Sequence, residues 1–216
     1  MNKLKLAALI TAIMALIAMP LSAEVRIGVS AAHTIIDTTG EETLKTTSRK
    51  NGAGVEETVL IPSIFAEIAG EGGFGIGVDY IPGSADLGSK SRTDDDIETA
   101  GDNKAAAEID GLTTIYAIKT FESGFFLKAG MTQADINTTE NLATGTVYGN
   151  ESVDGTVVGM GFNRSNDNGS FIRIATEYTD FDNVTFNGDL DADSVRNKVT
   201  ADVDAIAFKL SVGKAF

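Results

Sequence analysis

Residues 206–216 read IAFKLSVGKAF, and apolar side chains occupy every second position from Ile206 to Val212. A period of two residues is typical of a β-strand, whose successive side chains point to opposite faces, whereas an amphipathic helix repeats every three to four residues. One face of this segment carries bulky apolar side chains, and the other carries Ala, Lys, Ser and Gly. The segment therefore predicts a strand with one apolar face and one face of small or charged residues.

The same alternation recurs along the chain and predicts eight strands in all. Short connections rich in Gly, Ser or Asn, at 69–73, 121–124 and 165–169, favour hairpin turns, while the connections between them are much longer. Compact soluble domains rarely contain several long loops, whereas an outer-membrane barrel combines short periplasmic turns with long extracellular loops. The predicted strands are 24–34, 59–68, 74–80, 111–120, 125–132, 158–163, 172–179 and 205–216.

The composition excludes several classes of function. The chain of 216 residues has 31 acidic and 17 basic residues, a net charge of -14, and no cysteine. A nucleic-acid-binding protein would carry a basic stripe, and disulfides or thiolate sites need cysteine. No glycine cluster opens a helix after a strand, as a phosphate-binding loop requires. We therefore expect no nucleic-acid partner and no cofactor.

The first 23 residues have the layout of a secretory signal peptide. Lys3 and Lys5 precede an apolar run of Ala, Leu, Ile and Met, and small residues around Ala23 offer a cleavage site. The apolar run is shorter than the roughly 20 residues of a spanning helix. The sequence therefore predicts a signal peptide at 1–23 and a single exported domain at 24–216, which is either a secreted soluble β-sandwich or a membrane protein built from strands.

The face opposite the bulky residues distinguishes these two alternatives. It is dominated by Gly, Ala, Ser and Thr, which suits the narrow lumen of an eight-stranded barrel better than a sheet face in water. Buried charges must be paired, and the pairs predicted here are Arg26 with Glu67, Lys209 with Glu177, and Asp79 with Lys128. The eight charges assigned to the lumen are Arg26, Glu67, Asp79, Lys119, Lys128, Arg173, Glu177 and Lys209.

Aromatic side chains near the strand ends predict two interfacial girdles on the lipid-facing surface. The residues assigned to these girdles are Phe74, Tyr80, Phe125, Phe171, Tyr178 and Phe216.

Residues 206–216 also resemble the C-terminal assembly signal of Gram-negative outer-membrane β-barrels, in which a terminal aromatic follows alternating apolar residues. The matching positions are Phe216, Val212, Leu210, Phe208 and Ile206, and Lys214 departs from the pattern. With its signal peptide and eight strands, the chain resembles the small barrels of the OmpA-type transmembrane-domain group, including the OmpX- and OmpW-like proteins. This resemblance implies an up-and-down barrel in the outer membrane, recognition by the outer-membrane assembly machinery, and contact with outer-membrane lipid and lipopolysaccharide.

Two further features of the sequence are candidate sites. His33 is the single histidine, and some outer-membrane barrels that modify lipid A use a histidine near the outer rim, but the position of His33 in the alternation places it on the lipid side without a recognisable partner. Asp189, Asp191 and Asp193 resemble the start of a calcium loop, although the glycine and glutamate of that motif are missing. These aspartates and the acidic stretch 94–96 are weak candidates for divalent cations in the outer loops.

The sequence therefore predicts an all-β, eight-stranded antiparallel up-and-down transmembrane barrel with short periplasmic turns and long extracellular loops. We expect a non-catalytic protein with a structural or surface-interaction role, because side chains fill a lumen of this size. The alternatives are a narrow porin-like channel for small solutes or ions, and a lipid A-modifying enzyme centred on His33.

Overall fold

Hydrogen bonds between neighbouring strands close into a ring. The computed structural model describes residues 23–43, 50–94, 101–143, 146–189 and 197–216, so residues 1–22 of the predicted signal peptide lie outside the described residues. Among the described residues, no helix is long and apolar enough to cross a membrane. The strands are β1 (Glu24–Thr43), β2 (Lys50–Ala69), β3 (Phe74–Tyr80), β4 (Ser84–Asp94), β5 (Gly101–Thr120), β6 (Phe125–Thr138), β7 (Glu151–Ser165), β8 (Ser170–Phe181), β9 (Val184–Asn187) and β10 (Lys198–Ala215).

The ten segments form eight positions around a barrel. β3 and β4 both pair with β5, and β8 and β9 both pair with β10, so each pair acts as one interrupted strand. All pairings are antiparallel, and β1 closes the ring by pairing with β10. A row of directly opposed residues that leaves β1 at Val25 returns to β1 at Ile35, a stagger of ten residues. Such a stagger requires strongly tilted strands, typically by about 35–45°.

The predicted fold class is confirmed, but most strands are longer than predicted. The three short turns lie where they were expected, after β2, β5 and β7. At the other end, β1 continues to Thr43 and β2 begins at Lys50, so residues assigned to a long loop form a hairpin. These extensions were not predicted because their outward side chains are polar or small. The row of outward apolar residues, on which the prediction of strands depended, ends where the extensions begin.

Glycines make room for aromatic rings inside the lower barrel, the half nearer the short turns. A Cβ at Gly77 would lie 2.5 Å from Cζ of Tyr116, and a Cβ at Gly213 would lie 2.4 Å from Cζ of Phe171. Gly28 and Phe65 make the same kind of pair on neighbouring strands. Phe171 is buried in the lumen, so its assignment to a girdle was wrong. Its position in the alternation is inward, next to the outward Ile172.

Above the lower barrel, the strands separate into two sheets that pack face to face. The ladder between β2 and β3 ends at Ile64 and Tyr80, and among the described residues no ladder joins β2 to β4. One sheet contains β2, β1, β10 and β9, and the other contains β4, β5, β6 and the start of β7. Their inner faces share an apolar core. Its buried members are Ile36, Leu87, Ile109, Ala134, Ile136, Val153, Phe181, Val184, Phe186 and Val203.

The glycine–aromatic contacts predict a stability difference between two glycine positions. The variant Gly77→Ala forces its new methyl group against Tyr116 and should lower the free energy of unfolding by about 1–3 kcal/mol, the usual cost of overpacking. In Gly54→Ala, the nearest atom to the new methyl group lies 3.7 Å away, so stability should not fall. Urea titration in detergent micelles, followed by circular dichroism, measures both. Equal stability of the two variants would contradict the close packing of Tyr116 against Gly77.

Candidate functional site: the lumen and the outer surface

Glu67 is the centre of the buried ionic network in the lumen. Its side chain is fully buried and accepts hydrogen bonds from Nη1 of Arg26 at 3.0 Å, Nη1 of Arg173 at 3.1 Å and the hydroxyl of Tyr116 at 3.2 Å. Arg26 also pairs with Glu24 at the lower rim. The structure therefore brings Arg26 and Glu67 together and adds two partners that the sequence did not indicate.

The remaining lumen charges form a second chain of ion pairs. Nζ of Lys209 lies 2.6 Å from Oδ2 of Asp79 and 3.4 Å from Oε2 of Glu177, and Nζ of Lys128 lies 2.8 Å from Oε1 of Glu177. The expected contact of Asp79 with Lys128 was wrong, because Lys209 reaches Asp79 across the lumen and Glu177 takes Lys128. All four side chains are buried, so each charge is held by an opposite one rather than by bulk water.

Aromatic rings surround Arg173. Its guanidinium carbon lies 5.6 Å, 5.1 Å and 5.5 Å from the ring centroids of Phe65, Phe126 and Phe171. Cation–π contacts of this kind stabilise a charge that has lost its hydration. The inward alternation of Phe65 and Phe126 was visible in the sequence, but the lumen was expected to contain small residues.

Lys119 does not belong to the lumen network. Tyr116 and Ile118 point inward on β5, which places Lys119 on the outer row near the lower turns. Its ammonium donates to the carbonyl oxygen of Gly72 and lies 4.1 Å from the ring centroid of Phe74. The assignment of Lys119 to the lumen was wrong. Both faces of β5 are partly apolar, so the size of the side chains did not indicate which face points into the lumen.

The lumen is layered from the lower rim upward. At the level of the ionic network, hydroxyls also pair across strands, with Ser30 donating to Ser211 at 2.8 Å and Thr114 to Thr132 at 3.1 Å. The apolar core between the two upper sheets follows. A hydrated ion on this axis would have to pass a layer of ion pairs and then an apolar layer.

The outer surface of the lower barrel is a continuous apolar band. Large apolar side chains are exposed on β1, β2, β3, β6, β7, β8 and β10, and Leu60, Met131 and Ile174 are 73%, 71% and 64% exposed. On β5, the outward row at this level carries Ile115 and Ala117. On β1 the band runs from Val25 to Ile35. Ten residue steps of about 3.3 Å on a strand tilted by about 40° span about 25 Å. That height is the thickness of the lipid-facing band in outer-membrane barrels.

Charges on the outward rows are sorted by end. At the upper edge of the apolar band, the first charged side chain on each of the eight strand positions is a carboxylate, and we call this ring the acidic belt. Towards the lower turns, the outward rows carry Lys119, Arg164 and Lys214. The belt is not visible in the sequence because each strand position contributes a single residue. Its members are Asp37, Glu56, Asp86, Asp110, Asp135, Asp154, Asp180 and Asp204.

Six belt carboxylates are directly opposed to another belt carboxylate on an adjacent strand, and two of them, Asp110 and Asp135, form a separate pair. Asp37 pairs with Glu56 on one side and with Asp204 on the other, and Asp204 pairs with Asp180. Like charges in directly opposed positions destabilise a sheet. The hydroxyl of Tyr178 donates to Oδ1 of Asp204 at 2.5 Å, which stabilises one member of this row.

The other candidates from the sequence are scattered. His33 is exposed on the outer face of β1, beside Leu60 and Phe208. Asp189 is exposed, whereas Asp191 and Asp193 lie outside the described residues, as do residues 95 and 96 of the acidic stretch. No group of three or more potential metal ligands in the described part of the chain is arranged to hold a metal ion. The proposed assembly-signal residues Ile206, Phe208, Leu210, Val212 and Phe216 are all exposed on the outer surface.

Comparisons with known proteins show a likeness of fold alone. No family model and no curated protein matches the sequence. Among solved structures, the outer membrane protease OmpT from Escherichia coli is similar, with a TM-score of 0.49 and 8% identity over 89% of this chain and 97% of that one. Ail, the attachment invasion locus protein of Yersinia pestis, gives a TM-score of 0.34 and 10% identity over 84% of this chain and 98% of that one.

The lumen network predicts that Glu67 is more sensitive to substitution than its neighbours at the rim. Glu67→Gln leaves Arg173 buried without its carboxylate, and removing one partner of a buried pair costs about 3–5 kcal/mol. Glu24→Gln should change the free energy of unfolding much less, because Glu24 is partly exposed and Arg26 keeps Glu67. Urea titration followed by circular dichroism is the suitable measurement, because the chain has no tryptophan. Similar losses in both variants would show that the network is not centred on Glu67.

Proposed function

We propose that the chain is an integral outer-membrane β-barrel with a structural or surface-interaction role and a lumen filled by its own side chains. The observation that carries this proposal is the apolar band of about 25 Å around a closed ring of strands. An exposed apolar surface of this extent is unfavourable in water and favourable in lipid. A soluble barrel or sandwich would turn the same side chains inward.

The sorting of charge supports the direction of insertion. Lys119, Arg164 and Lys214 lie beside the short turns, where long basic side chains can extend to lipid phosphates. The acidic belt and the long upper strands lie at the other end. Short periplasmic turns and extended outer hairpins are typical of outer-membrane barrels, so we place the acidic end outside the cell and the N- and C-terminal ends of the barrel at the periplasmic face.

A narrow channel is the second candidate function, and one observation favours it. The lower half of the lumen contains ion pairs and hydroxyls, and polar side chains of this kind line aqueous pores. The apolar core above them argues for a closed lumen, because an apolar layer offers no polar group to an ion that has lost its hydration shell. We therefore rank the closed scaffold first.

We propose no catalytic role. An enzyme that modifies lipid A would need a base held by an orienting partner. His33 is exposed, and the residues directly opposite it on the neighbouring strands are Leu60 and Phe208, which are neither a carboxylate nor a hydroxyl nucleophile. The proposed partners are outer-membrane lipid and lipopolysaccharide, the assembly machinery during biogenesis through residues 206–216, and divalent cations near the acidic outer surface.

Reconstitution into lipid vesicles tests the proposal and its rival together. The purified chain should float with the vesicles, and it should migrate differently on a gel before and after boiling because the folded barrel resists detergent. Vesicles that contain it should retain a small anionic dye and should not swell in isosmotic sugar. Failure to float would overturn the membrane assignment. Flotation with rapid swelling would instead establish the channel.

The acidic belt predicts a dependence of stability on divalent cations. In vesicles that contain lipopolysaccharide, Mg²⁺ should raise the midpoint of thermal unfolding, because it neutralises carboxylates that face both one another and lipid phosphates. The triple variant Asp37→Asn/Asp180→Asn/Asp204→Asn should be more stable without Mg²⁺ and should respond less to it. A matched triple variant in the lower turns, Glu71→Gln/Glu122→Gln/Asp167→Asn, is the control. An equal response of both variants would contradict a role for the belt.

A further inference from the structure

A groove of about 750 Å³ lies on the outer face of the upper sheet, where β2, β1 and β10 meet the connection between β8 and β9. Its floor comes from residues of the outward rows, including Thr39, Gly54 and Asp202. These residues are two positions further from the membrane than Asp37, Glu56 and Asp204 of the acidic belt. The groove therefore faces outward just above the apolar band.

Two glycines in the floor have no structural reason to be glycine. Gly52 and Gly54 lie inside β2, where glycine is less favourable than a residue with a side chain. Neither has a positive φ, and the nearest atoms to an added Cβ are 3.8 Å and 3.7 Å away, an ordinary contact. The lumen glycines differ, because a Cβ at Gly77 would collide with Tyr116. Glycine within a strand often marks a bulge, a tight bend, or a place where a ligand or another backbone approaches closely. The register between β1 and β2 continues without a bulge through both glycines.

The groove lining indicates the chemistry of the ligand. Hydroxyls come from Thr39, Thr43 and Thr200, and an amide comes from Asn183. Two carboxylates, Glu41 and Asp202, are balanced by Lys50 and Lys198, and Lys50 donates to Glu41 at 2.6 Å.

This lining fits a neutral molecule with many hydroxyl groups. Among the lining residues, the side chains without a polar atom are no larger than alanine, so an acyl chain or an apolar peptide would find little to bury. The equal numbers of acidic and basic side chains, together with the adjacent belt, disfavour an anion.

We propose that this groove binds an uncharged saccharide, whose hydroxyls are recognised by the threonines, Asn183 and the charged side chains at the rim. The proposal rests on the outward placement of the upper sheets given above. At that height, the saccharide comes either from the sugar part of a neighbouring outer-leaflet glycolipid or from a free glycan outside the cell. Both present the same polyhydroxylated chemistry to the groove.

Nuclear magnetic resonance of the full chain in detergent micelles tests the proposal. Three probes are titrated separately: dephosphorylated core oligosaccharide from lipopolysaccharide, a neutral β-glucan oligosaccharide, and MgCl₂ alone. A saccharide should shift the backbone amide resonances of Gly52 and Gly54 saturably. Shifts with the core oligosaccharide alone support the glycolipid source, and shifts with the β-glucan support a free glycan.

The variant Gly54→Val places a side chain in the groove floor, where an added Cβ makes only ordinary contacts, and should weaken saccharide binding by at least about tenfold, which corresponds to about 1.4 kcal/mol. Ala105→Val, an exposed strand position on the other upper sheet, should bind like the unmodified chain. The gel shift on boiling verifies that both variants fold. Absence of shifts with either saccharide, or unchanged binding by Gly54→Val, would overturn the proposal, as would shifts with MgCl₂ alone. These outcomes are independent of vesicle flotation, so failure of the groove and failure of the membrane assignment are distinguishable.

Discussion

In the proposed membrane placement, each of the eight strand positions passes from lipid to water, and the two-residue period must serve both. In lipid, the apolar side chains face outward, as Val25, Ile27 and Val29 do on β1. Beyond the membrane, the outer face meets water, so Ile36 turns inward and Asp37 outward. The alternation is continuous, but the face that carries the apolar residues is exchanged within one step. The apolar band, the acidic belt and the core of the two upper sheets all follow from this exchange.

The exchange also explains why the lumen has two different fillings. In the lower barrel the outward face uses the apolar residues, and the interior is built from charges whose removal from water is costly. Glu67 shows how the fold offsets that cost, because it accepts from two arginines and a tyrosine while aromatic rings cover Arg173. In the upper part, water bathes the outside and the interior is an ordinary apolar core. The ionic layer thus lies in the part of the barrel where the apolar side chains face outward.

The sequence predicts the part of each strand that lies in lipid better than the part that lies in water. The segment 74–80 was predicted to the residue, since its outward positions Phe74, Ile76, Val78 and Tyr80 form one uninterrupted apolar row. The upper part of β2, with Gly52, Gly54 and Glu56 outward, carries no such row and was assigned to a loop. The partner of Asp79 was beyond prediction, because choosing between Lys128 and Lys209 depends on the stagger of ten residues around the ring.

The sorting of charge bears on how the barrel keeps its depth in a membrane. Moving the barrel inward would carry the carboxylates of the acidic belt into the hydrocarbon, where charged side chains on the lipid face are unfavourable by amounts that grow towards the midplane. Moving it outward would bring Lys119, Arg164 and Lys214 from the interface beside the short turns into the same layer. Because every strand position carries a belt residue, tilting the barrel as a whole also immerses some of them. Depth and tilt are therefore set by single residues at the ends of the strands, independently of the ionic network that holds the lumen together.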